Sequence, residues 1–485
     1  MIVHRHSLRA LAIALFSAAL PMSALPLVAL AEAPAKPNII LVMTDDQGYG
    51  DLACHGNPVI KTPHLDAFYK AAVRFTDYHV SPTCSPTRSS LLTGRHEFKN
   101  GITHTIHERE RLTLKAFTVA QLLKSAGYAT GIFGKWHLGD EAEYQPGRRG
   151  FDEVFIHGAG GIGQSYPGSC GDAPGNKYFN PTILHNGKFE KTQGYCTDVF
   201  FNQATRWIDE QRQAGKPFFA YITPNCPHGP LDCPAEYEQP YKGQVPPNVA
   251  KFFGMITNID DNFGRLMAKL REWSLERDTL VIFQTDNGTA TGHNFFNAGM
   301  RGQKGTAYQG GTRVPALWRW PAGFAGGRDI GQLTAHLDVF PTFAEITGAK
   351  IPAEWADKLD GRSLVPLLKD EKTAAWPDRL LVTHVGRWEK GEAADNHYAA
   401  CSIRNSRFTL VNAARQGEKW ELFDLVADPG EKTNVIDQHP EVAKKLKAAL
   451  DAWWVEVTPL LVNEDAVGPA ENPYKVLYRQ QFGQP

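Results

Sequence analysis

The segment Cys84-Ser85-Pro86-Thr87-Arg88 places a modifiable cysteine four residues before an arginine. Its proline suits the first helical position, where a missing N–H group costs nothing, so the segment predicts a helix start. Arg88 would then lie about one turn further along, close enough to hold an anion against the cysteine side chain. The alternative interpretation of Cys84 is a buried core cysteine, since cysteine is among the most commonly buried residue types. The choice depends on whether distant segments supply the other groups that anion chemistry needs.

Acidic and amide side chains follow two apolar segments of the chain. Asp45 and Asp46 come directly after the first segment, and Asp286 with Asn287 follows a later one. Ligands of open parallel sheets bind beyond the carboxyl ends of the strands, so these residues are placed to share one site. Carboxylate and amide oxygens are hard ligands suited to Ca²⁺ or Mg²⁺. Separate polar turns are the alternative, because Asp-Asn-Gly is a favourable turn sequence.

Basic and imidazole side chains follow two further apolar segments. Lys135 and His137 come after one of them, and His228 comes after the other. Such groups beyond strand ends can bind an anion and exchange protons. Lys304 lies in a glycine-rich basic segment that predicts either a solvated loop or a further anion contact. No role is assigned by this argument to His104, His157, His293 or the histidines of the tail.

These residues need a sheet whose strand ends meet at one edge, and the alternation of the sequence predicts one. From Pro37 onward, apolar runs typical of buried strands alternate with helix-like segments, which predicts an α/β domain with a mostly parallel sheet. Thr62 and Pro63 predict a helix start with Thr62 as the N-cap residue. A second helix is expected to end at Gly127. The predicted strands are residues 38–43, 129–133, 217–222 and 280–285.

The sequence changes character near Trp376. Short apolar runs separated by polar turns predict a small antiparallel sheet. Its strands are predicted at residues 380–383, 398–403, 408–411 and 420–425. A helix that starts at Pro440 carries apolar residues on one face and is expected to cover this sheet. We therefore divide the mature chain into a catalytic domain over residues 32–375 and a C-terminal subdomain with a tail over residues 376–485.

The N-terminus and the composition indicate location and partners. An apolar run over residues 11–20 and the small-x-small pattern Ala29-Leu30-Ala31 predict a signal peptide over residues 1–31. Pro21 and Pro26 interrupt the run, so no membrane span is expected after cleavage, and the mature chain is expected to be secreted or periplasmic. The formal net charge of −1 leaves no global basic field, which argues against nucleic-acid binding.

The chain contains seven cysteines, an odd number that leaves one unpaired or differently used in an exported protein. Cys84 fits that role. Short sequence separations suggest disulfides between Cys226 and Cys233 and between Cys170 and Cys196, although sequence alone does not fix the connectivity.

Together these segments resemble the type I sulfatases, the formylglycine-dependent members of the alkaline phosphatase superfamily. The matching blocks, in family order, are Asp45-Asp46, residues 84–95, residues 134–139, Pro227-His228, Asp286-Asn287-Gly288, residues 304–315 and residues 421–434. The resemblance implies an alkaline-phosphatase-like fold, in which helices sandwich a large mixed, mostly parallel sheet and a small C-terminal α+β subdomain follows. It also implies an arylsulfatase or polysaccharide sulfatase activity.

The resemblance further implies a cofactor set and a maturation partner. A formylglycine-generating enzyme would oxidise Cys84 to 3-oxoalanine (formylglycine), which removes it from disulfide chemistry and whose hydrate attacks the sulfate ester. One Ca²⁺ ion, with Mg²⁺ as the weaker alternative, would be held by the ligand set that follows. These ligands are Asp45, Asp46, the modified Cys84, Asp286 and Asn287.

The same resemblance gives roles to the basic residues. Arg88, Lys135 and Lys304 would neutralise sulfate oxygens. His228, with Lys304, would protonate the leaving alcohol, and His137 would take a proton from the second hydroxyl of the hydrate so that sulfate is eliminated.

A few positions depart from the family pattern or lie outside it. Gln309 stands where many members carry an acid, which is expected to change a supporting contact rather than the chemistry. Some members have a small polar sulfate contact between His137 and His228, and Ser165 is the candidate here. Candidates for the rim of the pocket are Trp136, Tyr166, His293 and Arg301.

The predicted reaction is hydrolysis of a sulfate monoester, carried by a small molecule or a saccharide, to an alcohol and inorganic sulfate. A phosphonate or phosphodiester hydrolase of the same superfamily is one alternative, because the same groups would serve either anion. An inactive protein that binds sulfated glycans is the other.

Overall fold

Near-continuous runs of aliphatic and aromatic residues form the central strands of the protein in a computed structural model. The structure describes residues 1–2, 36–370 and 376–483. Apart from its first two residues, the predicted signal peptide lies outside the described residues. The strand Asn38–Thr44 has the sequence NIILVMT and buries every residue except the first, as expected for a strand covered on both faces.

The described residues form sixteen strands and twelve α-helices. The strands are β1 (Asn38–Thr44), β2 (Val73–Phe75), β3 (Tyr78–His79), β4 (Ala129–Lys135), β5 (Glu153–His157), β6 (Thr182–His185), β7 (Lys188–Lys191), β8 (Phe218–Thr223), β9 (Thr279–Thr285), β10 (Ala316–Arg319), β11 (Arg328–Ile330), β12 (Thr334–Ala335), β13 (Leu381–His384), β14 (Cys401–Arg404), β15 (Phe408–Asn412) and β16 (Trp420–Asp424). The helices are α1 (Pro63–Ala71), α2 (Cys84–Thr93), α3 (Val119–Ser125), α4 (Cys196–Gln213), α5 (Ala235–Glu238), α6 (Pro247–Glu272), α7 (Gln309–Thr312), α8 (Val339–Thr347), α9 (Ala353–Ala356), α10 (Val365–Leu368), α11 (Pro440–Val457) and α12 (Pro473–Phe482).

Ten strands form one sheet in the order β11-β2-β10-β9-β1-β8-β4-β5-β6-β7. The five central strands, from β9 to β5, run parallel. The pairs that involve β10, β6 and β7 are antiparallel. The four strands predicted for this sheet are β1, β4, β8 and β9, which are neighbours at its centre, so their carboxyl ends meet at one edge. The predicted large, mixed, mostly parallel sheet is confirmed.

Side chains of the central strands alternate between two buried cores. In β1, Ile39, Leu41 and Met43 belong to one core, and Ile40 and Val42 belong to the other. Helices α2, α3 and α8 contribute to the first core, whereas α1, α4 and α6 contribute to the second. The helices therefore sandwich the sheet, as the predicted fold class requires.

Helix α1 begins where the sequence predicts, but a different residue caps it. The Thr62 hydroxyl donates to Asp66 Oδ1 over 3.0 Å and makes no capping hydrogen bond. Instead, the Asp260 carboxylate accepts from the backbone N–H groups of His64 and Leu65 over 3.1 and 2.7 Å. An acid from α6 thus satisfies the free N–H groups at the start of α1.

The C-terminal sheet has the order β13-β14-β15-β16, and every neighbouring pair is antiparallel. Helix α11 covers it, because Leu446 and Leu450 pack in one cluster with Leu410 and Leu422 of the strands. The predicted antiparallel sheet with one covering helix is confirmed, while the domain boundaries at residues 31 and 375 stay predictions. Of the helices in the described part of the chain, none is both long and apolar enough to cross a bilayer.

Candidate active site

The register of β1 against β9 brings the acidic residues of two strand ends together. Thr44 pairs with Thr285, and the Asp286 N–H donates to Thr44 O over 3.0 Å. The Asp46 N–H donates to Asp286 Oδ1 over 3.2 Å, and Asn287 Nδ2 donates to Asp46 Oδ1 over 3.0 Å. Asp46 holds this position with a left-handed backbone (φ 67°), a conformation that non-glycine residues adopt mainly at turns and functional sites.

Lys135, the last residue of β4, neutralises the acidic residue that follows β1. Its Nζ lies 2.6 Å from Asp45 Oδ2, and neither side chain is exposed. The close approach of β4 to β8 depends on Gly134, where a Cβ atom would lie 2.0 Å from Thr223 O. Strand pairing therefore fixes the position of this buried ammonium group.

Cys84 is the first residue of α2, and all ten residues of that helix are buried. Pro86 is therefore the third helical residue and not the first as predicted. Its missing N–H group still falls in the first turn, where backbone N–H groups have no helical partner. Arg88 lies one turn further along and is 1% exposed. Its Nη2 donates to Asp286 Oδ2 over 2.8 Å and its Nη1 donates to Lys135 O over 3.0 Å. The helix thus places the cysteine and a fixed guanidinium beside the acidic strand ends.

Lys304 and His228 both approach Asp46. Lys304 Nζ lies 2.6 Å from Asp46 Oδ1, and His228 Nε2 lies 3.8 Å from Asp46 Oδ2. His228 Nδ1 lies 2.7 Å from Gly229 O, and a carbonyl only accepts, so this nitrogen carries the proton. Burial lowers the pKa of His228, which leaves Nε2 of the neutral ring as an acceptor.

His137 follows β4 and also has a left-handed backbone (φ 58°). Its Nε2 donates to Thr105 O over 2.7 Å. Its Nδ1 is buried with no hydrogen-bond partner among the described residues. Burial, reinforced by the positive charge of Lys135, lowers the pKa of His137 well below its usual range. The ring is therefore neutral, with a free lone pair on Nδ1.

The acidic residues of the site differ in proton affinity. Burial raises the pKa of Asp45 and of Asp286 to about 6. Burial acts on Asp46 in the same direction, but Lys304 and His228 outweigh it and hold the pKa of Asp46 well below its usual range. A carboxylate pair with different environments is a recurring property of catalytic sites.

The thiol of Cys84 lies in a positive field. Burial raises its pKa, but the ammonium groups of Lys135 and Lys304 outweigh burial, so the pKa of Cys84 is lowered overall. The cations that hold the acidic residues also favour negative charge at the helix start, which suits the binding of an anion there.

A group of buried oxygen and sulfur atoms at these strand ends could bind a divalent cation. Carboxylate oxygens of Asp45 and Asp286 and Sγ of Cys84 all lie within 4.8 Å of one another. Asp45 Oδ1 and Asn287 Oδ1 are buried oxygens with no hydrogen-bond partner in the described part of the chain. Because an unpaired buried oxygen is costly, a hard cation with oxygen ligands would satisfy both atoms.

A further histidine, with no role predicted from its position in the sequence, also lies near the site. His157 ends β5 in register with Lys135 and is fully buried. Neither ring nitrogen has a hydrogen-bond partner among the described residues, and burial lowers the pKa of His157 well below its usual range. Its place at the end of a parallel strand was the signal that could have identified it.

Glycine residues lie beside both histidines that are predicted to be catalytic, His137 and His228. A Cβ atom on Gly160 would lie 3.4 Å from His137 Cε1, and one on Gly161 would lie 3.0 Å from His228 Nδ1. Ser165, the predicted polar contact, is exposed. The residues of this segment that lie beside the two imidazole rings are glycines, and the role of Ser165 stays a prediction.

Gln309 and Trp136 were both assigned a place from the sequence. Gln309 Nε2 donates to Pro429 O over 2.7 Å, and the Gln309 N–H donates to Glu431 Oε2 over 2.8 Å, so both groups contact the segment before α11. Trp136 is 1% exposed and its Nε1 donates to Tyr144 O. Its assignment to the rim of the pocket was wrong, because the indole packs in the core.

The predicted disulfides were also wrong, since all seven cysteines are free thiols. Cys226 Sγ lies 3.7 Å from Cys196 Sγ, and it is bonded neither to that atom nor to Cys233. Cys170 Sγ donates to Thr105 O over 3.6 Å. Short separation along the chain suggested the pairs, but the fold determines which thiols become neighbours.

A mostly parallel α/β sheet whose strand ends collect buried carboxylates, cations and a helix-start cysteine defines a hydrolase of anionic esters. The family model described as Sulfatase matches residues 37–349, and the model described as N-sulphoglucosamine sulphohydrolase, C-terminal, matches residues 299–455. The chain therefore belongs to the sulfatase family, and it is a sulfuric ester hydrolase. The resemblance found in the sequence is confirmed.

Two relatives and one solved structure are similar to this protein over most of its chain. Arylsulfatase A of Homo sapiens is 31% identical over 477 residues, which cover 88% of this chain and 90% of that protein. N-acetylgalactosamine-6-sulfatase of Canis lupus familiaris is 31% identical over 446 residues, with coverage of 83% and 82%. The solved structure of Ps i-CgsB in complex with k-i-k-neocarrahexaose superposes with a TM-score of 0.76 at 27% identity, covering 88% of this chain and 96% of that one.

Proposed function

We propose that this sulfatase is exported and hydrolyses a sulfate ester of a saccharide, using formylglycine made from Cys84 and one Ca²⁺ ion. The observation that carries the proposal is the position of Cys84 Sγ within 4.8 Å of carboxylate oxygens of Asp45 and Asp286. The reaction consumes one water and converts the sulfate monoester to an alcohol and hydrogen sulfate.

The cation would be held by oxygen ligands from four residues at two strand ends, which are Asp45, Asp46, Asp286 and Asn287. The modified side chain of Cys84 would complete the set. When bound, the cation would screen the negative charge of the ester and favour loss of a proton from the attacking hydroxyl. The two buried oxygens without partners, Asp45 Oδ1 and Asn287 Oδ1, support this assignment.

Formylglycine would be formed by a formylglycine-generating enzyme, and its hydrate would supply the attacking oxygen. The modification changes the mass by about −18 Da, because oxygen replaces sulfur and two hydrogen atoms are lost. The buried start of α2 holds this side chain rigidly beside the acidic strand ends.

Three positively charged side chains would bind the oxygens of the ester and stabilise the charge that shifts during transfer. Arg88 is held by Asp286, and Lys135 and Lys304 are held by Asp45 and Asp46. Because these partners fix the cations before substrate binds, little reorganisation is needed during the reaction.

Two histidines would move the protons. His228 would take up a proton at Nε2, which faces the Asp46 carboxylate at 3.8 Å, and with Lys304 would give it to the leaving alcohol. His137 would accept a proton at Nδ1, since Thr105 O fixes the proton of this ring on Nε2 and leaves Nδ1 free.

A saccharide substrate is supported by two of the similar proteins. The solved structure of Ps i-CgsB is a complex with k-i-k-neocarrahexaose, and N-acetylgalactosamine-6-sulfatase is named for a sugar ester. The signal peptide predicted over residues 1–31 would export the enzyme to the periplasm or the medium.

Ion chromatography of sulfate released from a panel of sulfated saccharides tests the proposal, with peptide mass mapping of residue 84. We expect release of sulfate, formylglycine at position 84, and loss of turnover in Cys84→Ala with little change in folding or Ca²⁺ binding. Cys54→Ala is the matched control, because this thiol lies outside the site. Retained activity in Cys84→Ala, or a fully active sample with an unmodified thiol, would rule out the nucleophile.

Two further measurements test the alternative functions, a phosphonate or phosphodiester hydrolase and an inactive glycan-binding protein. Faster hydrolysis of a phenyl phosphonate ester than of 4-nitrophenyl sulfate would contradict a sulfatase and favour the phosphonate or phosphodiester hydrolase. Binding of sulfated glycans without sulfate release, in a sample with confirmed formylglycine, would indicate an inactive glycan-binding protein.

A further inference from the structure

An arginine of the C-terminal subdomain reaches His137 through one intermediate residue, Thr105. Arg387 lies just beyond β13, and its Nη2 donates to Thr105 Oγ1 over 3.0 Å. The carbonyl oxygen of the same Thr105 accepts from His137 Nε2 over 2.7 Å. The Arg387 N–H is held as well, by Thr103 O at 2.8 Å. The guanidinium group is thus fixed to the loop that borders the proposed reaction centre.

A second arginine joins the same turn. Arg415, in the connection between β15 and β16, donates from Nη1 to Gly386 O over 3.4 Å. Neither Arg387 nor Arg415 forms an ion pair with a carboxylate of residues 36–370 or 376–483. By contrast, Arg109 of the bordering loop is paired with Glu464 at 3.2 Å. The two arginines therefore bring two positive charges that the described structure does not neutralise.

The backbone around these charges is held in an unfavourable conformation. Arg387, His107 and Glu108 all have left-handed φ angles, of 63°, 64° and 62°. A Cβ atom on Gly386 would lie 2.1 Å from Thr103 O, so this turn is pressed against the bordering loop. Such conformations persist only where the surroundings enforce them, and they cluster at ligand-binding sites.

Electrostatics place Arg387 within the field of the reaction centre. Burial lowers the pKa of Arg387, and Arg415 lowers it further. Negative charge on Cys84 and Asp46 acts in the opposite direction. The charge of Arg387 is thus coupled to the proposed reaction centre, and its contact to Thr105 supplies the geometric link to His137.

We propose that Arg387 and Arg415 bind a second anionic group of the substrate, a sulfate or a carboxylate on the sugar that carries the scissile ester or on its neighbour. Guanidinium groups suit both anions, because their planar fork donates two parallel hydrogen bonds. The inference rests on the proposed function, and it narrows the substrate class to saccharides with at least two negative charges.

The test uses phenyl sulfates that differ only in one ring substituent at the 3- or 4-position. The substituent is a neutral carboxamide, a carboxylate or a sulfonate, which represents a second sulfate. The readout is the ratio of kcat/KM for each charged probe to kcat/KM for the carboxamide, so a general loss of activity cancels. We expect the native enzyme to prefer a charged probe by about tenfold, the effect of one well-placed charged hydrogen bond.

Substitutions then assign the preference to the arginines. Arg387→Gln should bring the ratio close to one, Arg415→Gln should lower it, and Arg387→Lys should keep part of it because it retains the charge without the fork. Arg407→Gln is the matched control, since Arg407 belongs to the same sheet but pairs with Asp424. Added salt should also reduce the native ratio.

Each outcome has a separate meaning. Preference for the carboxylate probe assigns a sugar acid, and preference for the sulfonate probe assigns a second sulfate. Sulfate release from all three probes with a ratio near one overturns this inference and leaves the sulfatase proposal intact. No sulfate release from any probe, together with none from the panel of sulfated saccharides, contradicts the proposed function and the inference with it.

Discussion

Lys135 Nζ lies 2.6 Å from Asp45 Oδ2, and both side chains are completely buried. The pair joins the carboxyl ends of β4 and β1, two strands that are separated in the sheet by β8. A buried pair of this kind adds little net stability, but removal of one partner leaves an uncompensated charge. The site therefore depends on this contact both for folding and for electrostatics.

Replacement of Lys135 by methionine should lower the free energy of unfolding by about 3–5 kcal/mol without metal, because Asp45 loses its counter-charge. Added Ca²⁺ should recover part of this loss, since the cation takes over the neutralisation. Thermal unfolding in EDTA and in Ca²⁺ measures both effects. Lys124→Met is the control, because Lys124 pairs with Asp152 at the surface and such pairs contribute about 0–1 kcal/mol. Equal Ca²⁺ shifts in the native protein and in Lys135→Met would contradict the assignment.

His228→Asn should slow the hydrolysis of alkyl and sugar sulfates far more than that of 4-nitrophenyl sulfate. An alcohol needs a proton in order to leave, whereas nitrophenolate leaves without one, so the loss should be about 10²–10⁴-fold for the former. Steady-state kinetics on both substrate types give the comparison. His439→Asn, at the start of α11 in the C-terminal subdomain, should affect the two types equally. A uniform loss for both types in His228→Asn would exclude a role in protonation.

The sequence was sufficient to predict the central sheet and the convergence of its strand ends. The apolar runs that became β1, β4, β8 and β9 are long and nearly unbroken, and the binding rule for parallel sheets then places the residues that follow them. Lys135 and Asp286 could be located for this reason, without knowledge of any side-chain contact.

Features that depend on contacts between distant segments could not be predicted. Cys196 meets Cys226 only because α4 and the end of β8 are neighbours in space. Gly160 lies beside His137 because the chain returns after β5, and a glycine carries no chemical signal of such a role. The cap of α1 is a further example. Asp260 accepts a hydrogen bond from the N–H group of Leu65, a residue 195 positions away in the sequence.

Asp260→Ala should lower the free energy of unfolding by about 1–2 kcal/mol, as expected for the loss of a helix cap. The carboxylate accepts from two N–H groups at the start of α1, and alanine leaves both without a partner. Turnover should not change, because neither Asp260 nor the start of α1 contributes a residue to the proposed site. Denaturant unfolding measures the loss, and Asp260→Asn, which removes the charge but keeps an oxygen acceptor at the same position, is the control. Similar losses in both variants would mean that charge and not capping is responsible.

Glu431 should make the protein less stable as the pH rises from about 4.5 to 7. It is 1% exposed and accepts from the Gln309 N–H over 2.8 Å. Burial raises its pKa from 4.5 to about 7, so between these values the native state holds a proton that the unfolded state has lost.

Since the native state binds more protons in this range, the free energy of unfolding falls with rising pH, by about 3 kcal/mol in total. Below pH 4.5 both states are protonated, and above pH 7 the loss is complete. Glu431→Gln removes the titration, so the variant should gain stability relative to the native protein across this interval. Urea unfolding at closely spaced pH values gives the two curves. Parallel curves would show that the Glu431 carboxyl titrates alike in the folded and unfolded chain.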